Sequence, residues 1–514
     1  MEDHNSPDQH ILERTTIDLS QDVEEIRYLC TSLKSCINDF KQLLNQTKIK
    51  LIQGTYEKTT NHLQLFDNQL IDIEKQINNF QKLFTNKTIT TGQLNLHISQ
   101  KYSLYEQLRI LYGVFGSLRV STDWQSPSFY HSKFSQAGVQ TGKIKGTIND
   151  YKRDQHLDGH MFEKLFIKEY IDAPKHTKQF IHAFATNSGM GAFSTIFNYL
   201  LIEKKLLRPV LVGSTVYFQY KQLLVDSLDK QIVIIDESDT TSIIKAIQTH
   251  EPSAIFLDSL GNDIDMKTPD IDMLLSYLQT NAKKDTFFIL DNCTMSAMYQ
   301  PFRKWVPTVS KLRLVVFESL NKYHQFGMDR VMGGIIYCSG YKIDRIFDYR
   351  ENLGTNITDN AIYSIPTPNK KQLTKRMNRI ERNALLISSS LQQHISVNET
   401  PIESIIYPGL PHYHSFKRTT SYDFHGGFFA LQFKPKYQSV KTYQKFQKSV
   451  IHIAKEKNIQ IIAGTSFGLS TSRIYLTALR SDVSEPFIRI AVGTETTYEV
   501  KQLIVVFTEA INTL

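Results

Sequence analysis

The chain has 514 residues, 41% of them hydrophobic, enough to fill the cores of two or three domains. Its net charge of +8 comes from 59 basic against 51 acidic side chains dispersed along the chain, a balance that does not imply a nucleic-acid partner. No stretch reaches the apolar length of a membrane span, Met1–His10 is polar rather than signal-like, and the four cysteines show neither metal spacing nor a disulfide framework. A cytoplasmic protein with no membrane role and no metal is therefore expected.

Residues 1–116 read as a helical extension. Val23, Ile26, Cys30, Leu33, Ile37, Phe40 and Leu44 recur at alternating spacings of about three and four, as an apolar seam does. Leu63, Phe66, Leu70, Ile73, Ile77, Phe80 and Phe84 repeat the pattern, and Gly54 between them marks where a helix ends and the chain reverses. An antiparallel hairpin is predicted, with Leu104, Leu108 and Leu111 on a third helix crossing back onto it. The phenylalanines are bulky for a slender dimeric coiled coil. They favour a hairpin or small bundle packed on the rest of the chain or on a second copy, with a docking element for another protein as the alternative. The helices mix Asp, Glu and Lys without a basic stripe, against a nucleic-acid or membrane role.

Residues 117–150, with Trp124, Pro127 and Phe129, read as an extended arm. From 151 to 370 strands and helices alternate, as a mostly parallel sheet with helices on both faces requires. His156 and His160 lack a third ligand, so no metal site is expected there. Phe180–Ala185 reads as a strand, and Asn187-Ser188-Gly189-Met190-Gly191-Ala192 then opens an amphipathic helix. Small residues leave the backbone N–H groups bare and the first helical turn adds its dipole, which makes a phosphate seat. Phe287–Leu290 is an apolar strand breaking into Asp291-Asn292, and a second, in Leu312–Phe317, breaks into Glu318-Ser-Leu-Asn-Lys322. A carboxylate and an amine, each just past a buried strand, suit pyridoxal phosphate (PLP). The lysine forms the Schiff base, and the acid keeps the pyridine nitrogen protonated so that the ring can act as an electron sink. Lys371–Gln393 reads as a bridging helix whose Lys370, Lys371, Lys375, Arg376, Arg379 and Arg382 form a solvated face, and 371–514 closes the chain as a smaller α/β domain.

In order, these landmarks resemble the PLP-dependent enzymes of cysteine and methionine metabolism, the group of cystathionine synthases and lyases and methionine γ-lyase. Ser319-Leu-Asn321-Lys322-Tyr323, then Gly327, Asp329 and Gly333-Gly334, is similar to the family's Ser-x-Thr-Lys-Tyr…Gly…Asp…Gly-Gly signature. Ser188-Gly189-Met190 resembles its phosphate turn, Asp291-Asn292 its Asp-Asn-Thr, and Ile488-Arg489-Ile-Ala-Val-Gly493 its closing Ile-Arg-Leu-Ser-Val-Gly. Tyr407-Pro-Gly-Leu-Pro411 and Gly426-Gly-Phe428 resemble two small-domain landmarks. The resemblance implies a fold-type-I PLP enzyme. It further implies that Tyr151 and Arg153 reach the phosphate from a neighbouring subunit, that Tyr217 stacks on the ring, and that Asn262, Ser466 and Arg489 meet the substrate carboxylate. Tyr217 and Asn262 also read as ordinary packing and turn residues.

The chain departs from the family pattern in several places. Asn321 replaces a phosphate-binding Thr, Gly327 falls one residue late, His156-Leu157 replaces an Asn-Pro, and Leu469 and Thr471 interrupt a Ser-Leu-Gly-Gly…Glu run. The cofactor residues survive better than the substrate walls. The expected function is elimination or replacement at the β or γ carbon of an amino acid, sulfur-containing or O-activated, in a homodimer or homotetramer. The alternatives are decarboxylation or transamination on the same fold, or a PLP-fold scaffold presenting the helices. The PLP site is expected to survive removal of the helices before about Ser117 unless they themselves hold the oligomer together.

Overall fold

The computed structural model describes residues 9–46, 55–83, 91–121, 157–305, 311–339, 345–479 and 481–514. Tyr151, Arg153 and His156 lie outside the described residues, as do Phe84 and most of the expected arm.

The two apolar seams form helices α1 (Gln9–Gln46) and α2 (Thr55–Leu83), joined in one core by α3 (Thr91–Ser121). Val23 to Phe40, Leu63 to Phe80 and Leu104, Leu108 and Leu111 are buried at the expected positions. Arg27 bonds to Asn78 and Gln81, Lys34 to Glu74 and Lys41 to Asp67, so partners run in opposite directions and the hairpin is antiparallel. Phe40 and Phe66 both meet the edge of Phe115, which is how a third helix uses side chains too large for a two-helix seam. The first residues of the expected arm, 117–121, are the last turn of α3, which continues to Ser121. Arg119 keeps that last turn attached, with its guanidinium 4.6 Å from the Phe40 ring.

Helices α4 (Leu157–Tyr170) and α5 (Lys175–Lys178) lead into the large sheet. Its strands are β1 (Ile181–Thr186), β2 (Val210–Gly213), β3 (Ile232–Ile235), β4 (Ala254–Asp258), β5 (Thr286–Asp291), β6 (Leu312–Ser319) and β7 (Gly334–Ser339). They lie in the order β1-β7-β6-β5-β4-β2-β3, all parallel except β7, which runs antiparallel to both neighbours. Intervening helices α6 (Gly189–Ile202), α7 (Phe218–Leu228), α8 (Thr240–His250) and α9 (Ile271–Asn281) cover the faces. The unbroken apolar runs of β4 and β5 are buried along their whole length, as strands covered on both sides must be.

After α10 (Arg345–Asn352) and α11 (Asp359–Ser364), the long helix α12 (Lys370–Val397) crosses to a second sheet. That sheet has the order β10-β11-β12-β9-β8, from β8 (Ile402–Ile406), β9 (Phe428–Phe433), β10 (Ile462–Ala463), β11 (Arg473–Thr477) and β12 (Phe487–Ala491). The short helix α13 (Phe416–Thr419) precedes β9, and α14 (Val440–Glu456) and α15 (Thr497–Asn512) pack beside the sheet. The α/β architecture, the second mixed sheet and the added helices are those the sequence implied.

The basic residues of α12 require a correction. Arg376 and Arg379 are 2% and 5% exposed, not solvated. Arg376 pairs with Glu25 at 2.6 Å, Arg379 with Asp22 at 2.8 Å and Arg382 with Asp18, all on α1. Asp18, Asp22 and Glu25 stand at i, i+4 and i+7, one acidic stripe facing one basic stripe, so the helical region docks through charge as well as apolar packing.

Candidate active site

Strands β4 and β5 end side by side, with Asp258 in register with Asp291, and β6 ends at Ser319 one strand further along. Beyond these ends lies a cavity of about 350 Å³, in the position that open α/β sheets reserve for ligands. Every described residue assigned a cofactor or substrate role from the sequence lines it: Ser188, Gly189 and Met190, Tyr217, Asn262, Asp291, Ser319, Asn321 and Lys322, with Ser466 and Arg489 from the second sheet's side.

One wall is the start of α6. Ser188 caps the helix, its hydroxyl accepting from Gly191 N–H at 2.8 Å, while the N–H groups of Gly189 and Met190 have no acceptor within the helix. A Cβ on Gly189 would stand 2.9 Å from Ser319 Cβ, so the turn and the end of β6 meet only because residue 189 has no side chain. Asn321 Oδ1 accepts from Gly333 N–H at 2.9 Å, which directs its amide nitrogen to act as the donor left over. A helix start with bare N–H groups, a hydroxyl and an amide fits a phosphate.

Charge in the cavity is unbalanced. Asp291 is buried, its carboxylate accepts from Cys293 through both the N–H, at 2.9 Å, and the thiol, and it pairs with no cation among the described residues. Burial pushes its carboxyl up to about 6. Lys322 donates to Ser466 Oγ at 3.0 Å and sits 4.8 Å from the Phe467 ring; burial, then the nearby Arg489, lowers its amine to about 8. Arg489 lies 5.1 Å from the Phe428 ring, donates from Nη1 to Asn262 Oδ1 at 2.8 Å, and leaves Nε without an acceptor. Burial with no carboxylate beside it lowers it to about 10. An unpaired acid suits a protonated heterocycle, and an unpaired guanidinium suits a ligand carboxylate. The residues present therefore fit PLP together with an amino acid.

Other side chains of the cavity were not singled out from the sequence. Asp258 accepts from Tyr217 N–H at 2.9 Å and from the Tyr220 hydroxyl, and its carboxyl is pushed well up by burial and then by Asp291. It follows an apolar strand just as Asp291 does, so the same signal could have found it. Cys293 accepts from Ser319 N–H at 2.9 Å, and Arg473 lies 3.7 Å from Asp329. Phe467 and Arg473 come from a loop and an adjoining strand with no motif to mark them.

A sequence profile of the Cys/Met metabolism PLP-dependent enzyme family matches residues 119–507. The chain belongs to that family. Its fold is similar to cystathionine gamma-lyase from Lactobacillus plantarum complexed with L-serine, at 19% identity and a TM-score of 0.56, covering 72% of this chain and 91% of that one. Cystathionine gamma synthase from Xanthomonas oryzae pv. oryzae in complex with cystathionine is similar at 14% identity and a TM-score of 0.54, covering 71% and 88%. Among curated proteins, the bifunctional enzyme flvA of Aspergillus flavus is 24% identical over 313 residues, 60% of this chain. The match spans only 36% of that relative's length. The family match leaves out α1, α2 and almost all of α3. Among the described residues no helix is long and apolar enough to cross a membrane, and no cluster of His, Cys, Asp and Glu could hold a metal.

Proposed function

We propose that the chain is a PLP-dependent enzyme that catalyses elimination or replacement at the β or γ carbon of an amino acid, sulfur-containing or O-activated. The observation that carries this reading is the buried Arg489, whose guanidinium meets no carboxylate among the described residues and shares a cavity with the Lys322 amine. Ser188, Gly189, Met190, Ser319 and Asn321 would hold the cofactor phosphate, Asp291 the pyridine nitrogen, Tyr217 the face of the ring, and Lys322 the aldehyde carbon. PLP, when bound, supplies the electron sink that makes the substrate Cα–H acidic.

The chain's own residues supply the rest. Arg489, steadied by Asn262, and Ser466 bind the substrate carboxylate and so fix which bond at Cα stands toward Lys322. The Lys322 amine, lowered to about 8, is partly neutral near neutral pH and takes the Cα proton. Lys322 or Tyr217 then delivers a proton to the departing side-chain group. Phe428 and Phe467 exclude water from the guanidinium and the amine. Tyr151 and Arg153 complete the phosphate site of a neighbouring subunit, which makes a homodimer the smallest working unit, active in the cytoplasm.

The test is borohydride reduction of the PLP-loaded protein, peptide mapping, and a screen of sulfur and O-acyl amino acids for release of ammonia, keto acid or thiol. A pyridoxyl group fixed on Lys322 and release of one of these products support the reading. A label on another lysine, or a labelled Lys322 with no turnover of any of them, rejects it.

A further inference from the structure

We infer that α1 is a positioning element of the active site, acting through Glu25 and Arg376 on the loop that carries Ser466 and Phe467. The inference rests on the reading of Ser466 and Arg489 as the substrate-carboxylate site.

The loop lies against the lysine. Gly468 has φ +79°, and a Cβ there would stand 2.7 Å from the Tyr323 ring and 3.0 Å from the Lys322 carbonyl carbon. Ser466 is held at φ +78°, a conformation that costs a non-glycine residue and persists only where surrounding contacts impose it. Through that conformation its hydroxyl meets Lys322 Nζ, and the next residue, Phe467, lies under both Lys322 and Arg489.

Arg376 is among those contacts. From Nη2 it donates to the Gly468 carbonyl at 3.3 Å and to Ser470 Oγ at 3.1 Å, and a Cβ on Gly327 would fall 2.4 Å from that nitrogen, so the guanidinium fills the space between the two loops. From Nη1 it donates to Glu25 Oε1 at 2.6 Å, and the same oxygen accepts from the Tyr105 hydroxyl of α3 at 2.5 Å. The arginine side chain is 0% exposed. Leaving a cation this deeply buried without its anion is costly. Without Glu25 the guanidinium turns toward water and leaves the Gly468 carbonyl and Ser470 without their donor. Asp18 and Arg382 form a second ion pair between the same two helices, but Arg382 bonds only to Asp18 and its neighbour Asn383. Of these two pairs, Glu25–Arg376 is the one that reaches residues 466–470.

The experiment uses the full chain loaded with PLP and compares Glu25→Ala, Glu25→Gln and, as control, Asp18→Asn. Amide hydrogen exchange of residues 466–470 reads the loop, and the visible absorption of the cofactor reads the binding of glycine, a probe that has an amine and a carboxylate and no side chain. Both Glu25 variants should speed loop exchange and weaken glycine binding by about tenfold, the scale of one charge-assisted hydrogen bond. Cofactor content should not change, and Asp18→Asn should leave loop exchange near that of the native chain. Unchanged exchange in both Glu25 variants, or equal acceleration by Asp18→Asn, overturns the inference. Faster exchange with unchanged glycine affinity supports the hold of α1 on the loop and places the failure on the carboxylate reading instead. Glu25→Gln keeps the side chain's shape, so the comparison survives if Glu25→Ala does not fold.

Discussion

Two regions of this protein bury charge, and they do so in opposite ways. Between α1 and α12, Asp18, Asp22 and Glu25 meet Arg382, Arg379 and Arg376, and Lys101 joins Asp22 at 3.7 Å to Glu499 at 3.0 Å. In the cavity, Asp291 and Arg489 are buried and Lys322 is partly buried, yet among the described residues none of them meets an opposite charge within ion-pair distance. Paired charge holds two elements in register. Unpaired charge is kept at a cost to the folded state and is relieved by a ligand, so the location of the imbalance marks the working site.

The sharpest test of this contrast is chemical. Lys322→Ala should lower turnover by about 10²–10⁴-fold, the contribution of a positioned acid–base group, and its other roles make that a minimum. Steady-state rates on any active amino acid measure it; near-native rates would move the chemistry elsewhere. Next in size is Arg379→Met, which removes the two-point partner of Asp22, leaves it only Lys101 at 3.7 Å among the described residues, and should destabilise the fold by about 3–5 kcal/mol in chemical denaturation.

Arg489→Met is the matching change in the cavity, with the opposite expected sign. The cofactor-free protein should be no less stable than the native chain, while kcat/KM should fall by an amount equivalent to about 2–4 kcal/mol. Equal destabilisation by the two methionines would erase the distinction between the regions.

Titration reads single groups within each region. Asp291 holds its proton up to about 6 in the folded chain against 3.8 in the unfolded one, so its contribution is full below 3.8 and is lost as pH rises through 6. Lys322 is the reverse: the unfolded chain binds its proton more tightly, so stability rises with pH between about 8 and 10.5. In the network, burial raises Asp18 but Arg379 and Arg382 outweigh it and hold it below 3.8, a stability lost as pH falls, whereas at Asp22 and Glu25 burial outweighs the arginines and raises both. Stability–pH curves of the cofactor-free protein, native minus Asp291→Asn or Lys322→Met, should show these slopes at the level of about 1–3 kcal/mol. Flat difference curves would mean that both groups are solvated.

The mildest effect concerns the proposed shared site. When Arg153→Ala and Lys322→Ala subunits are mixed, half of the dimers are mixed and each carries one native site, so about a quarter of native activity should return. No recovery in verified mixed dimers would confine the site to one subunit.

The site was legible in the sequence where a buried strand announces its own end. Asp291, Lys322 and the Ser188–Met190 turn each follow an apolar run, and Arg489 lies in a strand the family motif marks. Phe467 and Arg473 were not legible, because what gives them meaning is convergence between the two sheets, which has no period in sequence. The arginines of α12 were misread for a related reason. Judged by their own helix they look like a polar face; only the acidic stripe 18, 22, 25, placed more than 350 residues earlier, gives them a partner. The hairpin, by contrast, needs only local periodicity and was read nearly to its ends.

Asp18 accepts from the backbone N–H of Thr497 at 2.7 Å, a bond between residues 479 positions apart. During synthesis the acidic stripe of α1 emerges early, whereas α12 and α15, which neutralise and cover it, are made much later. The hairpin can form early from its local contacts, but its docking must wait, and contacts of such long range are slow to close. Until then the nascent chain carries an exposed acidic stripe beside a finished helical pair.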